Sequence, residues 1–148
     1  MLIRPQIKHI RQLAKLCEGY HTMSRFKDES PLEEDNLHDF IKAIITRPTV
    51  FFEVLEIDDK IHGFIVGALE QQPWNKQYLC SIPFIYLDDC CRGKGWAEQM
   101  LDNAKTWAKA NNCFEIITSD YAVDPDRTGK WLQSIGFEKV GVTYGIKV

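Results

Sequence analysis

The chain has 148 residues, 45% hydrophobic and 26% charged, with a formal net charge of −3. This length fits one domain with a continuous core, and the charged share excludes wholesale disorder. The mild acidity argues against a general nucleic-acid binder, which carries a basic patch or stripe. No apolar run approaches the roughly 20 residues that span a bilayer, so no membrane association is expected. Met1–Gln6 lacks the basic-then-apolar pattern of a signal peptide. The cysteines are Cys17, Cys80, Cys90, Cys91 and Cys113. An odd count without a secretion signal reads as reduced thiols, so a cytoplasmic location is expected. Cys90 and Cys91 are adjacent and have no Cys or His at zinc-ligand spacing, so no metal site is expected.

In chain order, Leu2-Ile3-Arg4 reads as a short strand stopped by Pro5. Ile7, Ile10, Leu13, Ala14 and Cys17 recur at helical spacing, which predicts a helix over His9 to Glu18. Gly19 to Glu29 reads as a loop. Ser30 is placed as an N-cap, Pro31 as the first helical residue and Glu33 as the capping-box partner of a second helix. Leu37, Phe40, Ile41, Ile44 and Ile45 form its apolar face, and Arg47-Pro48 ends it. Val50 to Ile57 and Ile61 to Leu69 are strands around an Asp58-Asp59-Lys60 turn. Tyr78 to Leu87 is a third strand, in which Pro83 implies a bulge or an unpaired position. Ala97, Met100, Leu101, Ala104, Trp107 and Ala108 line one side of the next helix. Phe114 to Ser119 is a strand, and Arg127 to Ile135 a short helix closed by Gly136. Phe137 to Val148 reads as a last strand, whose exposed edge could pair with a second copy in a homodimer. The pattern is an α/β (α+β) domain over residues 1–148, with about four helices flanking a mixed sheet.

The chemistry sits in Ile85-Tyr86-Leu87-Asp88-Asp89-Cys90-Cys91-Arg92-Gly93-Lys94-Gly95-Trp96-Ala97. A strand runs into a loop with two glycines, and a helix begins at once. Glycine lets the backbone approach an anion without a Cβ clash. The first N–H groups of the helix have no internal partner, and its dipole adds roughly half a positive charge. Arg92 and Lys94 add full charges, so a pyrophosphate suits the segment. It is neither a Walker loop nor the dinucleotide fingerprint.

Arg92-Gly93-Lys94-Gly95-Trp96-Ala97 resembles the Arg/Gln-x-x-Gly-x-Gly/Ala signature of the GNAT family of N-acetyltransferases. Element order and the Gly136-Phe137 pair after the last helix extend the resemblance over nearly the whole chain. It implies a mostly antiparallel sheet that splays between central strands, with acetyl-CoA as co-substrate and transfer to a small-molecule or peptide amine. It places Arg92, Gly93, Lys94, Gly95, Trp96 and Ala97 on the pyrophosphate loop. Tyr86 and Leu87 fall where the fourth strand pairs with the pantetheine arm, with the Leu87 N–H as donor to the thioester carbonyl.

Three family features are absent, one of them the Asn that usually precedes the last helix, where the chain reads Asp124-Pro125-Asp126. The Tyr that protonates the departing thiolate is replaced by Leu132, leaving Tyr121 and Tyr144 as candidates. The carboxylate expected before the splay is replaced by Phe84 and Ile85. Glu70, Asp88, Asp89 and His21 remain as candidate proton acceptors. Tyr20, His21, Phe26, Glu29, Glu33 and Glu34 fall where the family shapes its acceptor pocket. His9, His38 and His62 read as surface residues, and Trp96 and Trp107 as packing residues. The two functional readings are an N-acetyltransferase working by direct amine attack and a catalytically weak acyl-CoA-binding module on the same scaffold.

Overall fold

The structure, a computed structural model, describes residues 1–119 and 125–148. Its elements are β1 (Leu2–Ile3), a 3-10 turn (Ile7–His9), α1 (Ile10–Met23), α2 (Glu34–Ile45), β2 (Val50–Ile57), β3 (Lys60–Gln71), β4 (Tyr78–Leu87), a second 3-10 turn (Asp89–Cys91), α3 (Trp96–Ala110), β5 (Cys113–Thr118) and α4 (Pro125–Ser134). The strands form one sheet in the order β1-β2-β3-β4-β5. All neighbours are antiparallel except β4 and β5, which are parallel. Among the described residues, no helix is long and apolar enough to cross a membrane.

Strand alternation divides the core in two. On one face Phe52, Val54, Phe64 and Val66 pack under α1 and α2, against Leu13, Ala14, Ile41 and Ile44. On the other, Phe51, Leu55, Ile65, Cys80 and Ile82 pack under α3, against Met100, Leu101, Ala104 and Ala108. Each fully buried aliphatic or aromatic side chain contributes on the order of 1.5–3 kcal/mol. Trp96, Trp107 and Trp131 pack at the edge of the second cluster. The β2–β3 hairpin turns on Asp58 (φ 50°) and Asp59 (φ 60°), two left-handed residues of the kind a tight hairpin requires.

Four expectations need correction. α1 continues through Gly19 to Met23 instead of ending at Glu18. Gly19 marks a close approach rather than a stop: a Cβ there would lie 2.7 Å from the Tyr86 hydroxyl. α2 begins at Glu34, with Glu33 as N-cap and no side-chain cap. Ser30 is held in the preceding turn, where its N–H donates to the Phe26 carbonyl at 2.9 Å. His9 is 2% exposed rather than on the surface. Its Nδ1 accepts the Gln6 N–H at 3.0 Å, and its Nε2 lies 3.2 Å from a Glu56 carboxylate oxygen. Residues 137–148 form no strand, and Val140, Val142, Tyr144, Ile146 and Val148 are all exposed. An alternating pattern becomes a strand only where a neighbouring edge supplies hydrogen bonds.

Candidate active site

The site is built where β4 leaves β5. The parallel pairing runs from Tyr78↔Cys113 to Ile82↔Thr118 and stops, while β4 continues to Leu87. Pro83 stands at the parting point. On the β3 side, Val66 pairs with Phe84 and Ala68 with Ser81, so Ile82 and Pro83 together face Gly67. This is the bulge implied by Pro83, which has no N–H to offer the ladder. The extra residue also changes the strand's phase. Cys80 and Ile82 face α3, and beyond the bulge Ile85 and Leu87 do so, while Phe84 and Tyr86 face α1.

Below the bulge the ladder is regular. The Asp88 N–H donates to the His62 carbonyl at 2.8 Å. Alternation therefore directs the N–H groups of Ile85 and Leu87 away from β3, into the gap that β5 has vacated. The Leu87 carbonyl is occupied, accepting the Arg92 Nε–H at 2.9 Å.

The loop after β4 passes through Gly93 (φ 70°) and Gly95 (φ 81°) and enters α3 at Trp96. Both glycines are left-handed, which an L side chain adopts at a cost of roughly 1–2 kcal/mol. A Cβ built on either meets nothing within 4 Å, so the concave side of the turn is open. No side chain caps α3. Its first N–H groups and dipole are thus directed at this space.

Arg92 plays a different part from the free charge expected of it. One guanidinium nitrogen lies 2.6 Å from Asp89, another donates to the Met23 sulfur at 3.4 Å, and the group stacks 5.5 Å over the Tyr86 ring. It ties the loop to β4 and α1. Lys94 is exposed at the tip of the turn.

Beside the gap, under α1 and α2, lies a cavity of about 410 Å³. Its floor is Phe52, Phe64, Val66 and Phe84, and its walls include Tyr20, His21, Phe26 and Glu33. Tyr20 meets Phe84 edge-on, with centroids 5.6 Å apart. The His21 Nε2 lies 2.6 Å from the Ser30 carbonyl, which only accepts, so Nε2 carries a proton and the lone pair of the neutral ring is on Nδ1. Cys17 also lines the cavity, and burial pushes its thiol up to about 12. It stays protonated at neutral pH and is a poor nucleophile. Glu29 and Glu34 do not line it. Glu29 pairs with Lys147, and Glu34 with His38 at 3.7 Å.

The candidate proton donors and acceptors scatter. Glu70 pairs with Leu79, at the opposite end of the sheet from the Leu87–Gly63 pair. At about 3.3 Å per residue the separation along β4 is on the order of 26 Å, so Glu70 cannot reach the Leu87 N–H. Tyr144 is 88% exposed on the C-terminal segment. Tyr121 lies outside the described residues. Asp88 is next to Leu87, but its carboxylate lies 3.3 Å from the His62 Nδ1. Asp89 is held by Arg92. Leu132 is half-buried in α4. Leu55 pairs with Gly63 and Glu56 with Ile61, so His62 is the extra residue of a bulge in β3, a property of strand pairing that gave no signal in the sequence.

A family model described as the Acetyltransferase (GNAT) family matches residues 9–137. A sequence search of curated proteins found no match. Among solved structures, a mutant of the BH1408 protein from Bacillus halodurans is 18% identical with a TM-score of 0.85, over 100% of this chain and 99% of that one. The aminoglycoside 6'-N-acetyltransferase AAC(6')-Ih from Acinetobacter baumannii is 16% identical with a TM-score of 0.80, over 100% and 97%. AAC(6')-Iy, solved with a CoA-containing bisubstrate analogue, is 14% identical with a TM-score of 0.78, over 100% and 97%. Identities this low speak for the shared fold, and the match over residues 9–137 speaks for descent: the chain belongs to the acetyltransferase (GNAT) family.

Proposed function

We propose that the protein transfers an acetyl group from acetyl-CoA to a primary amine by direct attack. The observation that carries this reading is the parting of β4 from β5 beside an open glycine turn. Backbone N–H groups of Gly93 to Ala97 bind the pyrophosphate, with Lys94 adding charge. The β4 edge at Tyr86 and Leu87 takes the pantetheine arm as a neighbouring strand. Acetyl-CoA supplies the acetyl group as a thioester.

The amine sits in the cavity under α1 and α2. Its nitrogen bonds to the carbonyl carbon, and the Leu87 N–H stabilises the negative charge that grows on the oxygen. The C–S bond then breaks and the thiolate leaves. The His21 Nδ1 accepts the amine proton, which gives the role considered for Glu70 to a residue that lines the cavity. The aromatic floor and Glu33 suit a cationic amine on an apolar body.

The weaker alternative, an acyl-CoA-binding module, is favoured by one observation: Leu132 offers no proton to the leaving thiolate. A thiolate is a tolerable leaving group near neutral pH, so turnover does not require one.

The test is calorimetric titration of acetyl-CoA into wild type and Gly95→Glu. The variant places a carboxylate in the open turn and is expected to lose binding by at least about 100-fold, roughly 2.7 kcal/mol. Equal affinity would remove the turn from the site. Amine-dependent thiol release by wild type, reduced at least about tenfold in His21→Ala, separates transfer from mere binding. Absence of release across aminoglycosides, polyamines, amino acids and peptides would favour the binding module.

A further inference from the structure

Between β3 and the 3-10 turn before Arg92, three side chains from two distant points in the sequence converge. The ligand atoms of His62, Cys90 and Cys91 all lie within 4.8 Å of one another. The Cys90 Sγ is 3.6 Å from the Cys91 Sγ and 3.7 Å from the His62 Nδ1. A carboxylate oxygen of Asp88 is 3.3 Å from the same His62 nitrogen. We propose that this cluster binds one Zn²⁺ ion, through His62 Nδ1 and the sulfurs of Cys90 and Cys91, with a water in the fourth position.

The spacing supports it. A tetrahedral Zn²⁺ with metal–sulfur bonds of about 2.3 Å and metal–nitrogen bonds of about 2.0 Å has edges of about 3.8 Å between sulfurs and about 3.5 Å from sulfur to nitrogen. The observed 3.6 Å between the sulfurs and 3.7 Å from the Cys90 sulfur to the His62 nitrogen follow those edges, and the third separation, from His62 to Cys91, lies within 4.8 Å. The donor set, two thiolates with an imidazole, selects a soft or borderline cation over Mg²⁺ or Ca²⁺.

The fold also builds the cluster deliberately. Leu55 pairs with Gly63 and Glu56 with Ile61, so His62 is the extra residue of a bulge. Bulges re-aim side chains, and this one directs the imidazole at the turn that carries the cysteines. Two further contacts hold the turn in place, the Asp88 N–H on the His62 carbonyl at 2.8 Å and the Cys91 N–H on the Asp88 carbonyl at 2.9 Å. Cys91 is buried and Cys90 exposed, so the cluster has a sheltered wall and an entry side. The expectation of no metal rested on spacing along the sequence, which cannot register a ligand contributed from another strand.

A disulfide between the two cysteines is the competing fate of this pair. Adjacent α-carbons are about 3.8 Å apart across a trans peptide, below the roughly 4.4–6.8 Å that disulfides span. Metal ligation needs no such compression. On binding, Cys90 and Cys91 release their thiol protons to solvent, and the ion clips residues 88–91 to β3. Gly93 and Gly95 follow directly, so the ion anchors the root of the glycine turn. The inference does not depend on the acyltransferase reading.

The experiment uses the full-length protein, reduced and stripped with a chelator. Zn²⁺ is titrated in competition with a chromophoric chelator, and Co²⁺ is substituted for spectroscopy. One ion per chain is expected, with a thiolate-to-cobalt charge-transfer band and the intense visible bands of a tetrahedral ion. Cys90→Ser and His62→Gln, at exposed or half-exposed positions, are each expected to weaken binding by at least about tenfold. Circular dichroism verifies that both fold. Failure of wild type to compete for Zn²⁺, a Co²⁺ complex without the thiolate band, or full affinity in both variants would overturn the proposal. So would an intact mass showing that the isolated protein carries a Cys90–Cys91 disulfide and binds no ion after reduction.

Discussion

Glu53 shows how one half-buried carboxyl can matter to stability without belonging to the site. It lies on β2 beneath α3, where Asn103 donates to both carboxylate oxygens at 3.0 Å. Burial raises its pKa above the usual 4.5, and the Asn103 hydrogen bonds oppose that only in part. The fold therefore holds the proton to higher pH than the unfolded chain does. A raised carboxyl pKa stabilises the fold fully below the unfolded value, and that contribution is lost as pH rises through the folded value. Glu53→Gln, neutral at every pH, is expected to melt above wild type near neutrality. The gap should close as the pH falls below about 4.5. Thermal melts of both proteins across this range check it, and a gap independent of pH would assign the effect to packing instead of charge.

At the level of elements, the closeness of β3 to β4 at Leu87 is what sets the donor edge. Gly63 faces Leu87, and a Cβ on Gly63 would lie 2.7 Å from the Tyr86 backbone oxygen and 2.4 Å from a Leu87 methyl. Backbone cannot swing aside as a side chain can. Gly63→Ala is expected to cost about 1–3 kcal/mol in urea denaturation and to lower acetyl-CoA affinity by displacing Leu87. A neutral result would mean that β4 is free to move there. The same pair of strands separates what was legible in the sequence from what was not. The boundaries Val50–Ile57 and Tyr78–Leu87, the bulge at Pro83 and the glycine turn were all readable, because each rests on local propensity or on one conspicuous residue. Gly19 inside α1, the placement of His62 beside the cysteine turn and the engagement of Arg92 were not. Each depends on a neighbour far along the chain: Tyr86, the Cys90-Cys91 turn, and the Met23 sulfur. The expected N-cap at Ser30 failed for the same reason, since its carbonyl is taken up by His21.

For the whole molecule, the two-layer core closes before the chain does. Phe137 packs on the α3 side of the sheet, and the family match also stops at residue 137. Beyond it the apolar residues of the C-terminal segment are 60% exposed or more. Among the described residues, an ion pair between Lys147 and Glu29 ties it to the far side of the domain. Lys147 lowers the pKa of Glu29, but both groups are open to water, where solvent screening leaves such a pair little to contribute. Removal of residues 138–148 should therefore leave the folded domain nearly intact. The expected fall in Tm is no more than roughly 2–4 °C for a chain of this size. The truncated protein should also keep its affinity for acetyl-CoA, because the glycine turn, the Leu87 edge and the α1–α2 cavity lie wholly within residues 1–137. Calorimetry and titration of the truncated chain measure both quantities. A Tm drop well beyond this range, or lost binding, would mean that the segment completes the sheet in solution and that its alternating Val140, Val142, Tyr144, Ile146 and Val148 are read as a strand after all.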